Sequence, residues 1–167
     1  SFGQTIAVTP LQLACATAAA VNGGTYYEPY FVKDIYDKNG RIAEIINPKA
    51  KRRVISEKAS RILAGYLEGV VRDGSGKQAY IAGYKVGGKT GTAQKFENGV
   101  LSVGKNVMSF VGFFPANNPK YLALEIVDEP NGGRYGSTVA APLVKKVFEG
   151  IIESKNIKAF EKVENEN

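Results

Sequence analysis

Two runs of β-branched and aromatic residues follow each other closely in the second half of the chain, and no other feature constrains the fold as strongly. They occupy residues 106–114 and 121–127, and a glycine-rich, extended stretch over residues 84–95 precedes them. Turn signals close both runs, Pro115 after the first and Glu129-Pro130 after the second. Because strands joined by such short connections pair in the antiparallel sense, the sequence predicts an antiparallel sheet.

Three helices are predicted around this sheet. Thr9-Pro10-Leu11-Gln12 has the spacing of a capping box, so a helix is expected over residues 11–21, where Asn22-Gly23-Gly24 ends it. Ser56 is the predicted N-cap of a second helix, in which apolar residues recur at helical spacing to about residue 72. A third helix is expected over residues 139–154. Together these elements predict the α+β class, an antiparallel sheet flanked by helices.

The net charge of +6 is spread along the chain except at one basic cluster, Lys49, Lys51, Arg52 and Arg53. Before this cluster, residues 30–37 and 41–46 flank an Asp37-Lys38-Asn39-Gly40 turn, which predicts a hairpin. We interpret the cluster as a solvated loop, because no aromatic side chains interleave with it as they do in single-stranded nucleic acid binding. Nucleic acid is therefore not an expected partner.

The absence of histidine excludes several kinds of site within this chain. No Ser-His-Asp triad and no histidine-ligated zinc site can form without it. The single cysteine, Cys15, lies in an alanine-rich apolar run and is expected to pack in the core. We therefore expect no metal and no cofactor. No run of 18 apolar residues occurs, so no membrane-spanning segment is expected.

Residues 83–94 admit two chemical interpretations. Gly83 to Thr90 matches G-x-x-x-x-G-K-[ST], the phosphate-loop pattern, which would make the chain a nucleotide-binding protein. Such a loop must open a helix whose N-terminus holds the phosphates. Here Gly91 would fall in the first turn, Asn98-Gly99 would end the run, and no apolar stripe is present. Nucleotide binding is therefore the remote alternative.

On a strand, the same residues make a different site. Lys89-Thr90-Gly91 is the K-T-G tripeptide found in penicillin-binding proteins and serine β-lactamases. Alternation would direct Lys89 and Gly91 to one face and Thr90 and Thr92 to the other. Lys89 can then place its charge beside a substrate carboxylate, Gly91 lets a peptide lie close to the backbone, and the Thr92 N–H can point at a developing oxyanion. Three residues alone would favour an exposed turn without function.

Further segments extend the match beyond the tripeptide. The chain resembles class B penicillin-binding proteins over roughly residues 1–150, and the order and spacing of the matching segments agree throughout. The matching segments are Ser1-Phe2-Gly3-Gln4 with Val8-Thr9-Pro10-Leu11-Gln12-Leu13-Ala14, Gly88-Lys89-Thr90-Gly91-Thr92-Ala93-Gln94, Ser109-Phe110-Val111-Gly112-Phe113-Phe114-Pro115, and Tyr135-Gly136 through Ala140-Ala141-Pro142.

The resemblance implies a fold and an activity. Residues 1–154 would form the C-terminal part of a transpeptidase domain with the serine β-lactamase and penicillin-binding-protein fold, and residues 155–167 a polar, disordered tail. The family cross-links the peptide stems of bacterial cell wall. A serine attacks the penultimate D-alanine carbonyl and releases the last D-alanine, and the amine of a second stem then resolves the acyl-enzyme. β-Lactams acylate the same serine.

The resemblance also assigns roles to individual residues. Lys89 would hold the proton network and the substrate carboxylate electrostatically, and the hydroxyls of Thr90 and Thr92 would bind that carboxylate. The N–H of Thr92 would form half of the oxyanion hole. The expected catalytic residues are therefore Lys89 and Thr92, and the expected substrate-binding residues are Thr90, Gly91, Thr92 and Gln94.

Two of the family's motifs are missing, the S-x-x-K that carries the nucleophile and the S-x-N that follows it. Ser102-Val103-Gly104-Lys105 and Ser154-Lys155-Asn156 fit the letters, but both come after K-T-G, and the first carries glycine where a helix is needed. We therefore expect the nucleophile upstream of Ser1 or on another chain, and this chain alone to be inactive.

The expected partners follow from the same resemblance. They are stem peptides ending in D-Ala-D-Ala, β-lactams, the N-terminal remainder of the same protein and other cell-wall synthesis proteins. The expected location is the extracytoplasmic face of the bacterial cell membrane. A β-lactamase-related hydrolase or D,D-carboxypeptidase, a β-lactam sensor domain, and a non-enzymatic interaction domain stay open as alternatives.

Overall fold

A computed structural model describes residues 7–97, 99–131 and 135–160. Its elements, in chain order, are α1 Pro10–Val21, β1 Thr25–Tyr27, β2 Asp34–Tyr36, β3 Ile42–Ile45, β4 Ala50–Arg53, α2 Glu57–Arg72, a 3-10 helix Lys77–Ala79, β5 Gly87–Glu97, β6 Val100–Phe114, β7 Tyr121–Asp128, α3 Gly136–Val139 and α4 Ala141–Lys155.

The main sheet has three antiparallel strands in the order β5-β6-β7. Lys89 pairs with Val111, Gly91 pairs with Ser109, and Val111 in turn pairs with Leu124 of β7. Among the described residues, neither the outer edge of β5 nor that of β7 pairs with another strand. The predicted α+β fold with an antiparallel sheet is therefore confirmed.

Helices cover both faces of this sheet. On one face, Phe110 of β6 packs with Val144 and Phe148 of α4, and all three side chains are fully buried. On the other face, Phe113 packs with Val21 of α1 and with residues of α2. Burying large apolar side chains between layers is the main favourable contribution to folding. The result is a helix–sheet–helix sandwich in which β5 forms one edge.

The helix starts predicted from the sequence are confirmed. Thr9 accepts a hydrogen bond from the Gln12 N–H at 3.2 Å, and the Gln12 side chain accepts one from the Thr9 N–H at 2.9 Å, which completes the capping box. The Ser56 hydroxyl accepts from the Ala59 N–H at 3.1 Å and caps α2. The predicted hairpin around Gly40 is also present, as β2 and β3.

The basic cluster is not a loop, so that prediction was wrong. Residues 50–53 form β4, which pairs antiparallel with β1. Gly24, at φ +92°, makes this pairing possible, because a Cβ there would lie 2.1 Å from the carbonyl oxygen of Ile55. The basic side chains remain exposed, so their solvation was predicted correctly and their backbone was not.

Part of the expected tail is held against the core. The Tyr84 hydroxyl donates to the carbonyl of Ile157 at 2.9 Å, and the Phe160 N–H donates to the carbonyl of Gly83 at 2.8 Å. Residues 155–160 therefore depart from the expected disorder, and residues 161–167 lie outside the described residues. Within the described residues, no helix combines the length and the apolar character that a membrane crossing needs.

Candidate functional site

The segment that follows Thr90 is a strand. β5 runs without interruption from Gly87 to Glu97, and β6 pairs with it along this length. A phosphate loop would require a helix here, since the helix N-terminus is what binds the phosphate. The nucleotide-binding alternative is therefore wrong, and the strand interpretation of Lys89-Thr90-Gly91 is confirmed.

Two glycines explain how β5 enters the sheet. A Cβ on Gly87 would lie 2.4 Å from the ring of Phe113, and a Cβ on Gly88 would lie 2.5 Å from the ring of Phe110. Both rings are fully buried and belong to the neighbouring strand, so only glycine lets β5 lie flat against them. Lys89 is the next residue, and it is where the strand becomes exposed.

Lys89 lies at the edge of the sheet beside an open groove. The groove measures about 360 Å³ and is almost wholly apolar apart from this lysine. It runs between the sheet and the helices α1 and α2, and its lining includes Leu13, Ala16, Leu63, Leu67 and Val111. The Lys89 ammonium donates to the carbonyl oxygen of Thr90 at 2.8 Å and lies 3.5 Å from its hydroxyl. Among the described residues, no carboxylate forms an ion pair with Lys89.

The free edge of β5 offers unpaired backbone groups. In an antiparallel strand, one residue's N–H and C=O point to the same side, and the side alternates along the strand. The Thr90 carbonyl accepts from the Lys89 ammonium, a donor outside the β5–β6 ladder, which is the position expected of a carbonyl at the free edge. The residue two positions on, Thr92, then presents its N–H at the same edge. The Lys89 charge, the Thr90 hydroxyl and the Thr92 N–H are thus brought together.

The Thr92 side chain is held from a distant part of the chain. Its hydroxyl oxygen accepts a hydrogen bond from the Gly136 N–H at 3.3 Å. Gly136 begins α3 and is buried; a Cβ there would lie 2.4 Å from the carbonyl oxygen of Ser109 and 2.5 Å from that of Gly91. The segment Tyr135-Gly136 had been noted only as part of the family resemblance. Its contact with the site could not be read from the sequence.

A close contact across the sheet explains why residue 91 is glycine, and the sequence did not reveal it. A Cβ on Gly91 would lie 2.4 Å from the hydroxyl oxygen of Ser109, which pairs with it across β5 and β6. The glycine therefore makes room for a neighbouring serine on the face that Lys89 also occupies. Contact of Gly91 with a bound peptide stays a prediction.

Gln94 is exposed and lies farther out along β5, opposite Asn106. At about 3.4 Å per residue, it is roughly 17 Å from Lys89 along the strand. The structure thus brings Lys89, Thr90 and Thr92 together. Gln94 is at the far end of residues 89–94, which we call the wall. The Ser102–Lys105 segment lies on β6 and not on a helix, so its match to S-x-x-K is coincidental, as expected.

Comparison with known proteins decides the family. Residues 1–149 match the sequence model of the transpeptidase family, described as the penicillin binding protein transpeptidase domain. The chain belongs to this family. The residues that carried the resemblance, apart from 1–4, all lie within the described residues.

Relatives of this penicillin-binding-protein domain have been named in several bacteria. The chain is 42% identical to Stage V sporulation protein D of Bacillus subtilis over 160 residues, 95% of this chain and 25% of the relative. It is 35% identical to the probable peptidoglycan D,D-transpeptidase PenA of Neisseria gonorrhoeae over 152 residues, 90% of this chain and 24% of the relative. The chain therefore spans about a quarter of the length of these curated relatives.

Solved structures agree on the fold. Penicillin binding protein 3 of Mycobacterium tuberculosis, complexed with ampicillin, matches with a TM-score of 0.82 and 27% identity over 94% of this chain and 37% of that chain. A D,D-transpeptidase domain of a peptidoglycan glycosyltransferase from Eggerthella lenta matches with a TM-score of 0.73 and 26% identity over 90% of this chain and 33% of that chain. The fold is therefore part of a penicillin-binding-protein transpeptidase domain.

Proposed function

We propose that residues 1–154 are the C-terminal part of a peptidoglycan D,D-transpeptidase domain, and that they supply the substrate-binding wall of its active site. The observation that carries the proposal is the convergence of Lys89, Thr90 and the Thr92 N–H at the free edge of β5, beside an apolar groove. The relatives' names support the activity of the parent protein.

The wall fits one end of a D-alanyl peptide. The Lys89 charge, unpaired with any described carboxylate, attracts the terminal carboxylate, and the Thr90 and Thr92 hydroxyls donate hydrogen bonds to it. An extended peptide can lie along the free edge of β5, as a strand added to a sheet. β-Lactams carry the same carboxylate and would bind in the same place. Gln94, farther along, contacts the more distant residues of the stem.

The chemistry needs a serine from outside this chain. Its oxygen attacks the penultimate D-alanine carbonyl, and the Thr92 N–H stabilises the oxyanion that forms. The C–N bond breaks, the proton lost by the serine hydroxyl passes to the nitrogen of the leaving D-alanine, and an ester remains on the serine. The amine of a second stem then attacks this ester and gives up a proton to the serine oxygen, which forms the cross-link and frees the serine. The helix that carries the serine would fill the apolar groove beside Lys89.

Partners and a location follow from the proposed function. The N-terminal remainder of the same protein completes the site, and other cell-wall synthesis proteins work alongside it at the extracytoplasmic face of the bacterial membrane. The main support for these proposals is the free edge of β5 at Lys89, because this edge is the part of the proposed active site that this chain contains.

Labelling with a fluorescent penicillin tests the proposal. The full-length protein should label covalently, and this chain alone should not, because it lacks the serine. Lys89→Met in the full-length protein should slow labelling by about a hundredfold, since one preorganised charge at the site is lost. Lys146→Met, an exposed lysine on α4, is the matched control and should label at the normal rate.

Other results of the labelling test would indicate a different function. Labelling followed by rapid loss of the label would indicate a β-lactamase, and stable labelling without cross-linking of stem peptides would indicate a sensor. A full-length protein that never labels, although it is folded, would refute the proposed function.

A further inference from the structure

The outer ends of β5 and β6 form a hairpin that projects beyond the third strand. β7 ends at Asp128, opposite Val107, so no third strand of the described residues lies beside the pairs Phe96–Leu101 and Glu97–Val100. Phe96 and Val100 are 53% and 70% exposed, and they contribute little burial. A two-stranded hairpin is marginally stable without further support, so the hairpin needs another attachment to the body of the domain.

The ladder between β5 and β6 is also broken at this point. The register shifts between Gln94 and Phe96: only Lys95 lies between these paired residues on β5, whereas residues 102–105 lie between their partners Asn106 and Leu101, so the bulge is on β6. The break comes directly after the wall of residues 89–94. Because β5 is an edge strand, the wall is hydrogen-bonded on one side only, and beyond Gln94 even that support is irregular.

An ion network spans the break. The Lys95 ammonium lies 2.7 Å from Asp128 Oδ2 and 2.7 Å from Glu129 Oε1, so it reaches across β6 to the end of β7. The Lys105 ammonium lies 2.8 Å from Glu97 Oε1 and 3.7 Å from the same Glu129 oxygen. The hydrogen bonds that the Lys95 ammonium donates to the Asp128 and Glu129 carboxylates raise the pKa of Lys95 above its ordinary value. The base of the hairpin is thereby attached to the body through Glu129.

Glu129 is itself held in an unfavourable conformation. Its φ is +47°, in the left-handed region that residues with a side chain seldom adopt, and Pro130 follows it. Its N–H donates to the carbonyl of Asn106 at 3.0 Å, which fixes it to β6. A strained residue that is kept in place by its neighbours is often part of a functional arrangement. From this conformation the Glu129 carboxylate contacts Lys95 at 2.7 Å.

We propose that Lys95, held by Asp128 and Glu129, is a positioning residue that sets the orientation of the 89–94 wall for the incoming peptide. The proposal rests on the proposed function, since it assumes that the wall binds substrate. No described strand pairs with the outer side of the wall, and the β5–β6 ladder is irregular at its end, so the tilt of the wall depends on this attachment. The network has a second effect. The Asp128 and Glu129 carboxylates offset the positive charge of Lys95, so Lys89 is the lysine of β5 whose charge is left to attract a carboxylate.

The alternative is that the network is an ordinary set of surface ion pairs. Such pairs contribute little to stability and nothing to a site several residues away. The two explanations differ in what happens at Thr92 when Lys95 is changed. The matched control is Lys145→Met, which removes another lysine ion pair, to Glu149 on α4, remote in the chain from the wall.

Amide hydrogen exchange on this chain tests the attachment directly. In Lys95→Met, exchange of the Gly91 and Ala93 amides, which by alternation point to β6, should speed up by about tenfold, because local opening no longer has to break the network. Lys95→Arg should restore slow exchange, since the guanidinium can donate to both carboxylates. Lys145→Met should leave these amides unchanged. Equal exchange in Lys95→Met and the unaltered chain would overturn the proposal.

Acylation of the full-length protein by a fluorescent penicillin tests the consequence for the site. Lys95→Met and Glu129→Gln should each lower the second-order rate constant by about tenfold to a hundredfold, because displacing a binding group by about 1 Å has effects of that size. Lys95→Arg should recover most of the rate, and Lys145→Met should match the unaltered protein.

The two arms separate the two hypotheses. An unaltered protein that is not acylated would refute the proposed function, and the exchange arm would still decide whether Lys95 holds the wall. Normal acylation by both Lys95→Met and Glu129→Gln would overturn the positioning role while leaving the proposed function intact. Glu129→Gln keeps the hydrogen-bonding shape of the side chain, so it guards against a folding defect in the lysine variant.

Discussion

Replacing Gly136 with alanine should destabilise the domain at the point where α3 meets the site. The added Cβ would lie 2.4 Å from the carbonyl oxygen of Ser109 and 2.5 Å from that of Gly91. Both oxygens belong to the paired backbones of β5 and β6, so neither can rotate away as a side chain would. To lengthen the shorter distance to even a tight contact of about 3.0 Å, α3 or the sheet itself would have to move by about 0.6 Å or more.

The size of the effect follows from this geometry. Forcing an extra methyl group into a packed site costs up to about 3 kcal/mol. We expect the full cost at Gly136, because the neighbouring atoms belong to the backbone and cannot move aside. Alanine restricts the unfolded chain and returns up to about 1 kcal/mol, because Gly136 does not need a positive φ. The net loss is about 2 kcal/mol, or a melting temperature lower by roughly 6 °C for a chain of this size.

Urea denaturation followed by far-UV circular dichroism measures this loss on the chain itself. Gly150→Ala is the matched control, because Gly150 lies within α4 and a Cβ there meets open space. That variant should be more stable by about 1 kcal/mol, the difference in helix propensity. The two alanines should thus shift stability in opposite directions. A Gly136→Ala variant as stable as the unaltered chain would refute the close approach that places Thr92.

Two further outcomes are expected from the packing and the charges. Phe148→Ala removes a fully buried ring of α4 and should lower the free energy of unfolding by about 3–5 kcal/mol in the same assay; a loss under about 1 kcal/mol would contradict the packing. The Lys105 ammonium lowers the pKa of Glu97, so the stability that Glu97 contributes should be present above its ordinary pKa near 4.5 and lost as the pH falls through the lower native value. Glu97→Gln should therefore differ from the unaltered chain at pH 7 but not at pH 2, and a constant difference would contradict this pairing.

Features set by neighbouring residues were predictable from the sequence. The capping box at Thr9 and the cap at Ser56 each depend on residues three positions apart, and both formed as expected. The strands after the glycine-rich segment were also predicted, because long apolar runs with short connections leave few alternatives. The family resemblance then predicted Lys89 as a site residue before its surroundings were known.

Features that depend on distant contacts were not predictable. β1 and β4 have three and four residues, too few to show an alternating pattern, and their partnership joins residues about 25 positions apart. The contact between Gly136 and Thr92 and the bond from Lys95 to Asp128 likewise join separate parts of the chain. Local patterns carry no information about which of many distant segments will meet.

Within the part of the chain that the structure describes, the sheet is open at both edges, and this has a practical consequence for anyone who studies the chain alone. Under the proposed function a peptide ligand would bind along β5, and the outer edge of β7, on the opposite side of the sheet, stays available to another strand. Because the two events use different edges, occupancy of one does not exclude the other. Titrations of a substrate mimic and of a complementing fragment should therefore show both bound to the chain at once, with neither displacing the other.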